Sequence, residues 1–134
     1  MEFEIKSNIS ACKLIFSNLS APHGFYYSDV EFRGIQVQAS TTVYLHTAFD
    51  GLDKMFQELG RLERPWDGAK EWNSIEKDLF IAVTCSRIGH VRFEIDILRQ
   101  NDLQEQSSVS AGLMTDLASL QSIAKDAQTL FGQA

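Results

Sequence analysis

The stretch from Ile75 to Leu98, I-E-K-D-L-F-I-A-V-T-C-S-R-I-G-H-V-R-F-E-I-D-I-L, limits what this chain can fold into more than any other. In its second half Val91, Phe93, Ile95 and Ile97 alternate with Arg92, Glu94 and Asp96. A period of two sets an apolar row and a charged row on opposite faces of a strand. In the first half Ile75, Leu79, Ile81 and Val83 share a face, which Lys77 interrupts near its start. The two halves predict an antiparallel hairpin. A two-residue loop at Arg87 and Ile88 would pair Val83 with Arg92 and mix apolar with charged side chains. An odd loop, Ser86 to Ile88, pairs Val83 with Val91, Ile81 with Phe93 and Leu79 with Ile95. Burial selects the odd loop, because a one-residue slip turns one strand inside out. Gly89 then supplies the left-handed residue that a three-residue hairpin loop requires. The other face, with Phe80, Ala82, Thr84, Arg92, Glu94 and Asp96, is polar enough to meet water or a polar partner.

The flanking sequence supplies further strands. Phe3 and Ile5 alternate with charged residues, and Cys12, Leu14 and Phe16 suggest a second strand after a turn at Asn8 to Ser10. Pro22 and Gly24 punctuate a loop. Phe25 to Arg33 follows as a strand with Tyr26, Val30 and Phe32 on one side. Gly34 marks a change of parity, from Val30 and Phe32 to Ile35, Val37, Ala39, Val43 and Leu45, which reads as a bulge or tight turn. Gln36, Gln38, Ser40 and Thr42 then face away from the core, as an exposed sheet face does. From Ala48 the period becomes helical, through Phe49, Leu52, Met55, Phe56, Leu59 and Leu62. Thr47 suits the N-cap, Asp50 and Asp53 suit the helix dipole, and Gly60 and Pro65 end the run. Gln100 to Gln106 is polar and loop-like, and Val109, Ala111 and Leu113 suggest a last weak strand. Thr115 would cap a second helix with Leu117, Leu120, Ile123, Ala124, Ala127, Leu130 and Phe131 on its apolar stripe. The expected architecture is one α+β domain over residues 1–134: an antiparallel sheet of about six or seven strands, with two one-sided helices on one face.

Composition bounds the partner. The 134 residues are 44% hydrophobic and 22% charged, which suits a folded globule rather than a disordered chain. A formal net charge of -6 argues against nucleic-acid binding, which needs clustered Lys and Arg, and favours a basic partner. Cys12 and Cys85 lie far apart in sequence, so buried free thiols are expected. The N-terminal stretch M-E-F-E-I-K shows no signal peptide, and no apolar run approaches the roughly 20 residues of a membrane helix. A cytoplasmic location follows by elimination.

Chemistry is sparse. His23, His46 and His90 have no second His or Cys at metal-ligand spacing, and nucleophile-elbow, phosphate-loop and dinucleotide motifs are absent. No catalytic residue, metal or cofactor is therefore assigned. Trp66 and Trp72 flank a turn at Asp67-Gly68 and offer either loop packing over the sheet end or an aromatic binding site. Glu76 and Asp78 would join Glu94 and Asp96 on the outer face of the hairpin, with His90 opposite Thr84 on that face. Such a cluster is a solvated surface or a contact for a basic partner.

The segment W-D-G-A-K-E-W-N-S-I-E-K-D-L, followed by G-H-V-R-F-E-I-D-I-L, resembles a family of small bacterial proteins of unknown function. Its pattern is Trp-x-Gly, Trp-x-Ser-x-Glu-x-x-Leu and then a Gly-His-Val hairpin. An aromatic residue usual after the hairpin is missing between Asn101 and Ser110. The family is similar, distantly, to WapI-type immunity proteins, which neutralise toxin domains. That resemblance implies a bacterial source and a non-enzymatic role. The expected function is accordingly an immunity-like protein that covers a basic toxin domain, with Glu76, Asp78, Glu94 and Asp96 as contact face and Trp66 or Trp72 as anchor. A small-ligand module built on Trp66, Trp72 and His90 is the alternative.

Overall fold

In the computed structural model, residues 1–46, 49–100 and 105–132 are described, with the side chains of residues 50 and 100 outside the description. The chain forms two four-stranded antiparallel meanders rather than one sheet. The first contains β1 (Glu2–Lys6), β2 (Lys13–Ser20), β3 (Tyr26–Arg33) and β4 (Gln38–His46) in that order. The second contains β5 (Lys70–Asn73), β6 (Leu79–Cys85), β7 (His90–Gln100) and β8 (Gln106–Asp116). Helix α1 (Leu52–Gly60) lies between the meanders in sequence, and α2 (Leu120–Phe131) follows the second. The expected α+β class and antiparallel pairing hold, and the single sheet of six or seven strands is corrected.

Alternation cannot separate these two arrangements. Each strand presents one apolar face whether its neighbours share one sheet or divide between two. The inner faces of both sheets and the apolar sides of both helices meet in one core, from Phe3, Phe16 and Phe32 through Phe56 and Phe131 to Ile81, Phe93 and Leu113. Hydrogen bonds among the described residues tie the sheets together outside that core, among them Asn8 Nδ2 to Asp116 Oδ2 at 3.3 Å. The Asn8 amide donates to the Met114 carbonyl at 2.9 Å, and Arg99 Nη1 donates to the Ser40 carbonyl at 3.2 Å.

The central hairpin keeps the expected parity but shifts by two residues. Val83 pairs with Phe93, Ile81 with Ile95 and Leu79 with Ile97, while Cys85 takes Val91. The loop is Arg87–Gly89: the Ser86 amide donates to the His90 carbonyl at 2.8 Å, and the Gly89 amide to the Ser86 carbonyl at 3.0 Å. Gly89, at φ 86, is the last residue of this loop, so β6 runs further than expected before turning. His90 consequently does not face Thr84. Thr84 pairs with Arg92, and His90 pairs with Asp116 across β8.

The first arm also starts later. Ile75 to Asp78 belong to a turn, and Lys70–Asn73, expected as loop, forms β5 with Trp72 opposite Ile81. Gly34 lies in the tight turn between β3 and β4, its amide donating to the Val37 carbonyl at 2.7 Å. The expected cap Thr47, the start at Ala48 and the Asp50 carboxylate lie outside the described residues. Asp116, not Thr115, caps the second helical segment, accepting the Ser119 amide at 2.9 Å. Thr115 is instead a buried strand residue of β8. The helices lie against each other, and a Cβ at Gly60 would come within 2.4 Å of the Ala124 Cβ.

Candidate functional site

The outer face of the second sheet holds the acidic residues singled out from sequence. Register sets Glu71, Ala82, Glu94 and Gly112 side by side, and beside them Asn73, Phe80, Asp96 and Ser110. Alternation turns this face outward because Trp72, Ile81, Ile95 and their neighbours fill the core. Small residues at Ala82, Ser110 and Gly112 keep it shallow. Glu71, Glu94 and Asp96 are exposed. Arg92 is the cation of the face; its Nε donates to Glu94 Oε1 at 3.0 Å, and its guanidinium lies across Gly112, 2.9 Å from where a Cβ would sit.

Glu76 and Asp78 lie in the β5–β6 turn rather than in a strand. Ser74, buried, organises that turn: its Oγ donates to Asp78 Oδ1 at 2.5 Å and accepts the amides of Asp78 at 3.0 Å and Leu79 at 3.1 Å. The Asp78 carboxylate therefore closes a turn and is half-buried, while Glu76 is exposed. Lys77 takes a left-handed φ of 59 in the same turn. In the sequence Ser74 shows only as the serine of the Trp-x-Ser-x-Glu pattern, with no role attached.

The tryptophans face inward. Trp72 is 7% exposed and belongs to the core, and Trp66 packs partly buried against it. The Trp66 indole Nε1 is buried without a hydrogen-bond acceptor. His90 is exposed beside the hairpin loop. Grooves of about 800 Å³ between β1 and α2 and about 550 Å³ beside Gly60–Glu63 and Asp116–Gln121 are lined by none of these three, nor is a 50 Å³ cavity at Met55, Leu59 and Lys70. None of these three spaces, among the described residues, brings Trp66, Trp72 and His90 together.

The first sheet has an ordered polar outer face. Asp29 accepts Asn18 Nδ2 at 2.8 Å and Thr42 Oγ1 at 2.7 Å, and these two bonds hold its carboxyl below the usual range. Glu31 accepts Arg33 Nε at 2.9 Å and the Gln38 amide, and Arg33 foremost lowers its pKa. One row further along, aromatic residues take over: Tyr27 pairs with Tyr44, and Phe25 and His46 adjoin them. Burial, then Tyr27, then the negative charge of Glu76 push the Tyr44 phenol up. The signal for Tyr44 and His46 was present in the sequence, since they continue the outward row Gln38, Ser40, Thr42. A bulge between Tyr26 and Tyr27 hid their partners.

Among the described residues, no group of three or more His, Cys, Asp or Glu side chains is placed to hold a metal ion, and no helix is long and apolar enough to cross a membrane. Cys12 and Cys85 are free and half-buried rather than fully buried, and burial pushes the Cys85 thiol up.

Fold and surface together define a small α+β domain with two polar outer sheet faces around one core. The chain belongs to a family of unknown function, DUF6228, whose profile matches residues 5–134. No curated protein matches it.

Proposed function

We propose that this chain is a non-enzymatic protein-binding domain that engages a basic protein partner. The observation that carries the reading is the shallow outer face of the second sheet, where exposed Glu71, Glu94 and Asp96 lie in adjacent register rows. Arg92, the cation of this face among the described residues, is tied to Glu94. A flat surface with this charge steers a basic partner at long range and meets it over a broad contact. Glu76 is exposed in the neighbouring turn, outside the strand rows, and Asp78 and Trp72 are occupied inside the fold. The finer form of the proposal follows the resemblance to WapI-type immunity proteins: a bacterial, cytoplasmic inhibitor that covers a toxin domain. Residues Glu71, Glu94 and Asp96 would then occlude the toxin rather than react with it.

The test is capture from extract of the native host with the wild-type chain and with a Glu94→Lys, Asp96→Lys variant. A basic protein retained by the wild type, released by raised salt and lost with the variant is the expected result. Equal retention by both chains would remove this face from the proposal. A secreted toxin encoded beside the gene, and protection from that toxin by the wild type alone, would support the immunity form.

A further inference from the structure

The aromatic cluster on the first sheet lies outside the acidic face just described. Ring centroids of Tyr27 and Tyr44 are 5.1 Å apart, those of Tyr44 and His46 5.9 Å. Phe25 lies 6.3 Å from Tyr44 and 5.9 Å from His46. Phe25 is 41% exposed, His46 is exposed, and both tyrosines are half-buried. These rings are separate from the core rings Phe3, Phe16, Phe56 and Phe131, which cluster on the inner side of the same sheet. The next row on the outer face is Asp29 opposite Thr42, with the carboxylate fixed by Asn18 and Thr42. Arg99 lines the groove beside Asp29 and is held on the Ser40 carbonyl at 3.2 Å.

We propose that this patch receives an arginine side chain of the basic partner, its guanidinium stacked on the exposed Phe25 ring beside Tyr44 and its charge met by Asp29. The inference rests on the reading that the partner is a basic protein, and adds which residue of that partner is recognised and where. Charge complementarity selects this occupant. An anion would be repelled by Asp29, whose row stands between the rings and Arg99. A neutral apolar side chain would shield that carboxylate from water without answering it. A lysine ammonium, compact and strongly hydrated, would gain less from ring faces than a planar, weakly hydrated guanidinium, which stacks on aromatic rings and still offers donors at its edge. Asn18 and Thr42 each engage one oxygen of Asp29, which holds the carboxylate in place and leaves acceptor capacity on both oxygens.

The experiment is an NMR titration of the whole chain with a blocked glycine pentapeptide carrying one central arginine, and with its neutral citrulline counterpart. Saturable shifts at Phe25, Tyr27, Tyr44 and His46 are expected with arginine, with citrulline about tenfold weaker. Phe25→Ala should weaken the arginine response by at least about threefold, while Tyr44→Phe, which keeps the ring, should leave it within about twofold. Equal response to citrulline, insensitivity to Phe25→Ala, or no shift at these rings would overturn the inference. If arginine instead shifts only residues around Glu71, Glu94 and Asp96, this site is excluded while the basic-partner reading stands. Loss of that reading shows separately, as capture by the wild-type chain of no basic, salt-released protein.

Discussion

Gly60 is the residue on which the approach of the two helices turns. It sits in the last turn of α1, where a glycine in the sequence reads simply as a helix end. Its neighbour across the interface explains it better, since an added Cβ would meet the Ala124 Cβ at 2.4 Å. Both atoms belong to short, rigid groups on packed helices, so neither can rotate away. Alanine raises helix propensity by about 1 kcal/mol over glycine, but overpacking a core costs about 1–3 kcal/mol. Gly60→Ala should therefore destabilise the chain by up to about 2 kcal/mol, read as a lower denaturant midpoint with unchanged slope. Ala124→Gly in the same chain should restore part of the loss by reopening the space. A fully stable Gly60→Ala chain would mean that the helices separate at little cost.

Elements were legible to different depths. In the central hairpin, alternation fixed which side chains of β6 and β7 face the core, because any odd slip would bury Glu94 and Asp96. A slip of two residues moves no side chain to the other face, so the true pairing of Val83 with Phe93 was not readable from the pattern. Strand β5 is not legible in the sequence because K-E-W-N carries a single apolar residue and looks like part of the loop before it. Its assignment also settles Trp72, whose ring is core. The start of the last helical segment shows a similar limit. Thr115 and Asp116 are both good caps in sequence, and only the length of β8 decides between them, carrying Thr115 inward. Asp116 then accepts the Ser119 amide at 2.9 Å and the Ser119 hydroxyl at 2.8 Å. Ser119 foremost holds the Asp116 carboxyl below its ordinary value of 3.8. A carboxylate whose pKa is lowered on folding contributes above the unfolded value and loses that contribution as pH falls through the folded one. Asp116→Ala should therefore cost about 1 kcal/mol near neutral pH. The gap to wild type should shrink as the pH is taken below 3.8, measured by denaturation across that range. A gap that stays constant to strongly acidic pH would show that the charge at Asp116 plays no part in the cap.

At the scale of the molecule, two sheets and two helices share one core, and this makes a prediction about cooperativity. Both tryptophans report on the second sheet, Trp72 from within β5 and Trp66 packed beside the core. Phe131, 2% exposed, lies elsewhere, with its ring 6.5 Å from Phe3, 6.3 Å from Phe16 and 5.0 Å from Phe49. It joins the last turn of α2 to the first sheet and to the approach to α1. If the sheets were separate folding units, Phe131→Ala would weaken the first and leave tryptophan fluorescence unchanged. The continuous apolar interior argues otherwise. The change should cost about 3–5 kcal/mol, a large share of a small domain's stability of about 5–15 kcal/mol. Tryptophan fluorescence and far-ultraviolet circular dichroism should still unfold in one coincident transition, shifted equally by Phe131→Ala. Two separated midpoints, with fluorescence at its wild-type value, would instead divide the chain between its meanders. Such a division would also bear on the proposed surfaces. The acidic face belongs to the second sheet and the aromatic patch to the first, so a partner that touches both needs them held in one rigid body. The shared core, the bonds of Asn8 to Met114 and Asp116 and the Arg99–Ser40 bond hold them so.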